Sequence, residues 1–331
     1  MKEETTENGT QKGEGTLKKF FSRQENVVAI VLVLLCIMMS IVRTETFLTT
    51  ANVFNVLRQS SLYIILAMGM ALIIITGGID LSIGSIIAVS ACLGAYLAQR
   101  INNVPVIIVL CVVLLTGCLC GLINGGLVAL AGIPPFIVTL GMLSVGKGVA
   151  LLVSNGAPIR YEKTWLSVFG GNYIGPVPIS VLVMAVISVI MIVFANCTIT
   201  GRNIYAIGNS ERAAKLSGIA VERTVILVYV LMGLLASICG ILLMGQMNSA
   251  DPTFGSGYEM DTIAAAVIGG VSMSGGEGRL SGTIVGALLM SLLRNMFVLL
   301  AISGYWQTII LGCVIVLSVA IDCIGKKRKS R

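Results

Sequence analysis

From Val27 onward the chain reads as long apolar runs interrupted by short polar or glycine-rich breaks. The runs are continuous and do not alternate with period two, so they predict helices and not the strands of a barrel. Crossing a bilayer takes roughly 17–25 apolar residues per helix. On that scale the pattern predicts about ten spans, at 27–42, 61–76, 83–98, 105–130, 134–153, 179–195, 224–247, 259–271, 281–300 and 305–323. The first and eighth are short, which suits a tilted, broken or re-entrant crossing. Segment 47–60 is ambiguous. Asn52 and Asn55 resist burial, yet its length suits a half-helix or a surface helix. The fold class expected is all-α, a polytopic membrane helix bundle.

One polar stretch stands apart from this pattern. Thr200 to Val221 reads TGRNIYAIGNSERAAKLSGIAV, a long charged segment that is neither terminal nor apolar. Ala213, Ala214, Leu216 and Ile219 place small or apolar groups on one side of a short helix, and Arg202, Glu211, Arg212 and Lys215 mark a wet side. Gly218 permits close backbone approach or a sharp exit. An amphipathic helix between spans is a natural docking peg for a soluble partner.

Composition agrees with the membrane class. The chain has 331 residues, 56% of them hydrophobic and 11% charged, against about 25% charged in soluble domains. Its mean hydropathy is +0.98. The formal net charge of +7 does not point to nucleic acid. The cations sit mostly in loops and in a terminal tail of Lys326, Lys327, Arg328, Lys329 and Arg331. With the N-terminus inside, the segments on that side hold 15 Lys and Arg and the outer loops hold five. This asymmetry predicts that both termini and the 196–223 loop are cytoplasmic. Residues 1–26 form a polar N-terminal tail, 27–323 the transmembrane domain, 154–178 the largest external loop and 324–331 a basic cytoplasmic tail. No small-residue cleavage site follows Val27–Val42, so this run is expected to remain as the first span.

The chemistry on offer is sparse. There are nine cysteines and no histidine. The cysteines lie in apolar runs or at their ends, with no CxxC pair, so neither a disulfide framework nor a zinc site is expected. The missing histidine removes the commonest general base and metal ligand, and no paired carboxylates are read within a span. No catalytic or metal-binding residue is assigned. Gly141 to Gly148 nearly matches a phosphate loop, but Gly148 supplies no hydroxyl and the run is apolar with no strand before it. Any ATPase must therefore be another polypeptide. Lys147 and Arg294 are isolated cations inside spans, where a charge costs about 2.5–3.5 kcal/mol on insertion scales. Each either lines a pathway or is accommodated by snorkelling or helix–helix bonding. Gly117, Gly121 and Gly125 repeat every four positions, as do Gly282 and Gly286, which predicts close helix packing. Two glycine-rich junctions, 77–85 and 269–278, hint at an internal repeat or at two tight turns on one membrane face. Asp80 in the first is positioned to cap a helix N-terminus.

The motifs GGIDLSIGS (77–85), GLINGGLVALAGIPPFIVTLGM (121–142), GRNIYAIGNSERAAKLSGI (201–219) and DPTFGSGYEMDTIAAAVIGGVSMSGGEG (251–278) occur in one order across the chain. In them the chain resembles bacterial ATP-binding-cassette sugar importer permeases of the ribose, galactose and xylose type, from about residue 27 to 323. The resemblance implies about ten spans per subunit and a second permease subunit completing a homodimer. It also implies a cytoplasmic ATP-binding subunit and an extracytoplasmic sugar-binding protein. ATP and magnesium would belong to the partner ATPase, and no cofactor to this chain. Glu211, Ala213, Ala214 and Gly218 match the family's coupling-loop pattern, with Arg212 inserted after the glutamate. Asp80, Lys147 and Arg294 are the candidate pathway or gating residues. The cargo implied is a monosaccharide, ribose first. Galactose, xylose or a signalling furanone are the alternatives within the family, a purine nucleoside is more distant, and an ATP-independent channel or secondary transporter is the alternative outside it. The setting implied is the bacterial cytoplasmic membrane, multi-pass.

Overall fold

The computed structural model describes residues 24–101, 104–161 and 168–329. The tail before residue 24, Lys163, Trp165 and Arg331 lie outside them.

The chain runs α1 (Gln24–Val42), α2 (Thr44–Phe47), α3 (Thr50–Ile75), α4 (Ile83–Arg100), α5 (Val106–Ala129), α6 (Pro135–Ser154), β1 (Ile159–Arg160), β2 (Tyr173–Ile174) and β3 (Val177–Pro178). It continues with α7 (Ile179–Cys197), α8 (Ile199–Asn209), α9 (Glu211–Leu216), α10 (Val221–Met247), β4 (Ser249–Ala250), α11 (Tyr258–Ile268), α12 (Leu280–Leu299) and α13 (Gly304–Lys329). Among the described residues, eight helices are long and apolar enough to cross a membrane: α1, α3 to α7, α10 and α12. Among the described residues α13 also carries an apolar stretch, Gly304–Leu317. Its helix also continues past the expected end of the span at 323, to Lys329. The small strands only tie loops together. β1 pairs antiparallel with β4, Ile159 opposite Ala250, and β2 pairs with β3.

Helix α3 is the buried axis of the bundle. Every residue from Ser60 to Ile75 is buried, as expected of a helix that is apolar all round, and α7, α10, α11 and α12 pack against it. Segment 47–60 is not a separate half-helix, because α3 begins at Thr50. The Thr49 hydroxyl caps it by accepting from the Asn52 N–H at 3.2 Å. Asn52 is accommodated by a partner on α12: Asn295 Nδ2 donates to Asn52 Oδ1 at 2.9 Å.

The predicted glycine repeats are packing surfaces. On the seam of α5 and α10, a Cβ at Gly233 would stand 2.0 Å from the Gly117 carbonyl oxygen, and one at Gly117 would stand 2.2 Å from the Gly233 oxygen. Only backbone fits there.

Two crossings are broken. Helix α11 has 11 residues, about 16 Å at 1.5 Å per residue, roughly half of the ~30 Å hydrocarbon core. The 77–82 segment, expected as a surface turn, instead carries Asp80, Leu81 and Ser82 fully into the protein. Such irregular backbone is tolerated at membrane depth where protein covers it. The two junctions share one geometry. At the end of α3, Gly77 N–H donates to Ile74 O and Gly78 N–H to Ile73 O, both at 2.9 Å. At the end of α11, Gly270 N–H donates to Val267 O at 2.9 Å and Val271 N–H to Ala266 O at 3.0 Å. Both are Schellman caps turned by a left-handed glycine. Each is followed by a side chain that accepts from the backbone two residues on, Asp80 from Ser82 and Ser272 from Ser274.

Candidate functional site: a docking face and a polar seam

The 196–223 segment folds as two helices. Thr198 caps α8, its hydroxyl accepting from the Gly201 N–H at 2.9 Å. Ser210 caps α9 by accepting from the Ala213 N–H at 3.2 Å. Gly218, at φ +80°, closes α9 with a further Schellman cap. Its N–H donates to Lys215 O at 3.0 Å and the Ile219 N–H to Ala214 O at 3.1 Å. Ala214 is buried against Ile207 and Val221. Of the rest of the predicted apolar side, Ile219 packs partly on the same cluster and the other two residues turn outward. Ala213 is exposed, and Leu216 is 84% exposed. The reason is geometric: α9 is a single six-residue stretch, and only one position per turn reaches the underlying Ile207–Val221 cluster. Glu211, Arg212 and Lys215 are exposed, as expected.

Lys215 Nζ lies 2.9 Å from Glu211 and 3.1 Å from Glu222. Hydrogen bonding to Glu211, then to Glu222, holds its ammonium above the ordinary lysine range. Glu222 is held below the ordinary glutamate range, first by its backbone N–H and then by Lys215.

Helix α8 ties this face to both broken crossings. The Gly276 N–H donates to the Ile75 carbonyl at 2.9 Å. A Cβ on Gly208 would stand 1.8 Å from the Ile75 oxygen and 2.4 Å from the Gly276 nitrogen. The Tyr205 hydroxyl donates to Gly278 O at 3.2 Å.

The predicted pathway residues fall into separate polar groups. Asp80 is fully buried but does not cap α4, whose N-cap Ser82 makes no side-chain capping bond. Instead Asp80 Oδ1 accepts from the Ser82 N–H at 2.8 Å and hydroxyl at 2.6 Å, and Asn124 Nδ2 donates to the Ser82 oxygen at 2.9 Å. Arg294 is not isolated. Its guanidinium pairs with Asp261 of α11 and lies over the Tyr63 ring, 5.8 Å from its centroid. Tyr63 also meets the Asp261 carboxyl, and its ring stands 5.1 Å from that of Tyr258. Lys147 is exposed on α6 and faces a cavity shared with Glu259. Gly141 to Gly148 is helical throughout, so it forms no phosphate loop.

The head of α11 therefore carries two carboxylates, Glu259 and Asp261, that sequence reasoning passed over although both fall within the predicted 259–271 span. A lone cation in each of two other spans was the available signal, since an intramembrane charge needs a partner.

The cavity lies where α4 and α11 begin. Gly84 and Gly255 touch through backbone there: a Cβ on Gly84 would stand 2.3 Å from the Gly255 oxygen. It measures about 180 Å³ and is lined by Ser85, Lys147, Ser256 and Glu259, with Phe254 and Leu143 as apolar wall.

Comparison with known proteins places this architecture. Residues 52–319 match the family described as branched-chain amino acid transport system / permease component. The chain is 39% identical over 310 residues to the ribose import permease protein RbsC of Escherichia coli (strain K12), covering 92% of this chain and 95% of that one. It is 40% identical over 293 residues to ribose import permease protein RbsC of Bacillus subtilis (strain 168), covering 88% and 90%. It is 34% identical over 326 residues to the galactose/methyl galactoside import permease protein MglC of Escherichia coli (strain K12), covering 93% and 96%. No solved structure matches.

Proposed function

Because the chain belongs to the branched-chain amino acid transport system / permease component family, a family of multi-pass transport permeases, we propose that it is the membrane subunit of an ATP-driven sugar importer with ribose as cargo. The ribose permeases to which it is similar over nearly its full length support the cargo. The excess of Lys and Arg on the side of α8 and α9 supports a cytoplasmic position for that face and for both termini. ATP and magnesium act in a separate subunit, a second copy of this chain completes the membrane unit, and an extracytoplasmic binding protein delivers the sugar.

One observation carries the coupling reading. An exposed, doubly capped helix, α9, follows α8, and α8 touches the backbone of both broken crossings. Glu211, Ala213 and Leu216 present the contact surface, while Ala214 and Gly218 fix its shape. Movement of the ATPase would shift α9 and α8 together. The turns after α3 and α11 would follow, and rigid-body rocking between two packed states would open the pathway beside Asp80, Lys147 and Arg294.

The test is co-purification in mild detergent. The unmodified chain should bring down an ATP-binding subunit, and cells carrying both should take up labelled ribose. Leu216→Asp and Gly218→Trp should remain in the membrane but lose the subunit. Retention of the ATPase by both variants, or uptake unchanged by loss of ATP, would refute the coupling role.

A further inference from the structure

We propose that the cavity between the N-termini of α4 and α11 is a sugar subsite within the membrane, with Glu259 and Lys147 as its hydroxyl-binding groups. The proposal deepens the import reading and rests on it for the class of cargo.

The cavity's volume of about 180 Å³ equals about six waters at ~30 Å³ each, room for one small polyol. Glu259 and Lys147 line it together without closing an ion pair among the described salt bridges. Glu259 Oε1 accepts from the Gly257 N–H at 3.3 Å, while Oε2 is buried with no hydrogen-bond partner. Oε2 is tucked against Gly84, so its hydrogen-bond set is incomplete and a turn of the carboxylate would bring it to a hydroxyl in the cavity. The single Ser85 hydroxyl hydrogen is taken by Ser82 O at 2.8 Å, with Met142 O at 3.3 Å as its alternative acceptor, so toward the cavity it offers only lone pairs. Lys147 is a pure donor and the glutamate a pure acceptor. A hydroxyl both donates and accepts, so vicinal hydroxyls satisfy the pair simultaneously. An anion would be repelled by Glu259 and a cation by Lys147. Phe254 and Leu143 offer an apolar wall to the C–H face of a ring. Gly84 and Gly255 bring the starts of α4 and α11 into backbone contact beside the site, which places Ser85 and Glu259 on one cavity.

The test uses the full-length chain in lipid nanodiscs with Ser256, an exposed lining residue, changed to cysteine. Labelling by a cationic methanethiosulfonate is timed with and without D-ribose, D-galactose and L-leucine, and the parent chain with its own cysteines sets the blank. Sugar at ten times its dissociation constant should slow labelling about tenfold. Glu259→Gln should raise the sugar needed by roughly tenfold or more. No protection by either sugar, protection by leucine alone, or protection unchanged by Glu259→Gln would overturn the proposal. If Ser256→Cys does not fold, the sugar-induced rise in Tm of the unmodified chain, and its loss in Glu259→Gln, decides in its place. Uptake is scored separately in cells. Uptake without protection removes the subsite and leaves the importer, whereas protection without uptake keeps the subsite and removes the importer.

Discussion

Removing one member of the Asp261–Arg294 pair should destabilise the protein unequally. The Asp261 side chain is 3% exposed and that of Arg294 31% exposed. Breaking a buried pair costs about 3–5 kcal/mol, because the survivor is left uncompensated. Arg294→Met leaves a nearly inaccessible carboxylate whose remaining partner is Tyr63, so its loss should lie near the top of that range, about 5 kcal/mol. Asp261→Asn leaves a guanidinium that reaches the surface and still lies on the Tyr63 face, an interaction of about 0.5–2 kcal/mol. Its loss should be about 2–3 kcal/mol, discounted for that exposure. Combining Asp261→Asn with Arg294→Met removes both charges, and the double variant should lose only about 1–3 kcal/mol, the cost of one unpaired buried amide, well below the sum of the two single losses. The assay is reversible unfolding in mixed micelles, read by tryptophan fluorescence, on the four members of the cycle. A coupling energy below ~0.5 kcal/mol, the scatter of independent sites, would refute the reasoning, as would a larger loss for Asp261→Asn than for Arg294→Met.

Further outcomes are expected from the same structure. Gly117→Leu or Gly233→Leu should force α5 and α10 apart and lose about 1–3 kcal/mol or more, seen as a lower midpoint in the same unfolding assay. Gly141→Ala, where a Cβ meets nothing within 4 Å, should change it by less than ~0.5 kcal/mol. Asn295→Leu should cost about 1–3 kcal/mol by leaving Asn52 Oδ1 without its donor while Nδ2 keeps Phe47 O, and adding Asn52→Leu should recover part of that in unfolding measurements. The Lys215 clasp on Glu222 should be insensitive to pH across the neutral range. The depressed Glu222 stabilises the fold above the unfolded glutamate value of about 4.3, and this is lost as pH falls through its lower folded value. Proteolytic nicking near residue 217 should therefore rise only in acid or in molar salt.

The order of spans was legible because bilayer thickness imposes a run length that composition cannot disguise. Asn52 made α3 look interrupted, since a one-dimensional pattern does not show the amide waiting on Asn295. Asp80 read as a surface capping residue for a similar reason: only the folded chain shows Asn124 and Ser82 closing over it. The 196–223 segment was legible as a segment, from its charge and Gly218, while the outward turn of Leu216 depended on how few positions a six-residue helix can bury. The Glu259 and Asp261 carboxylates were hidden by their place at a helix end, where acids are ordinary.

The backbone contact among Gly208, Ile75 and Gly276 has a mechanical meaning. With no side chain between them, the junction has little compliance, so any displacement of α8 would pass directly to the end of α3 and to the turn that follows α11. Were the base of α11 to move with that turn, a rod of about 16 Å would carry its far end, beside Gly255 and Glu259, roughly as far. A single methyl inserted at Gly208 would act as a shim between α8 and these two backbones.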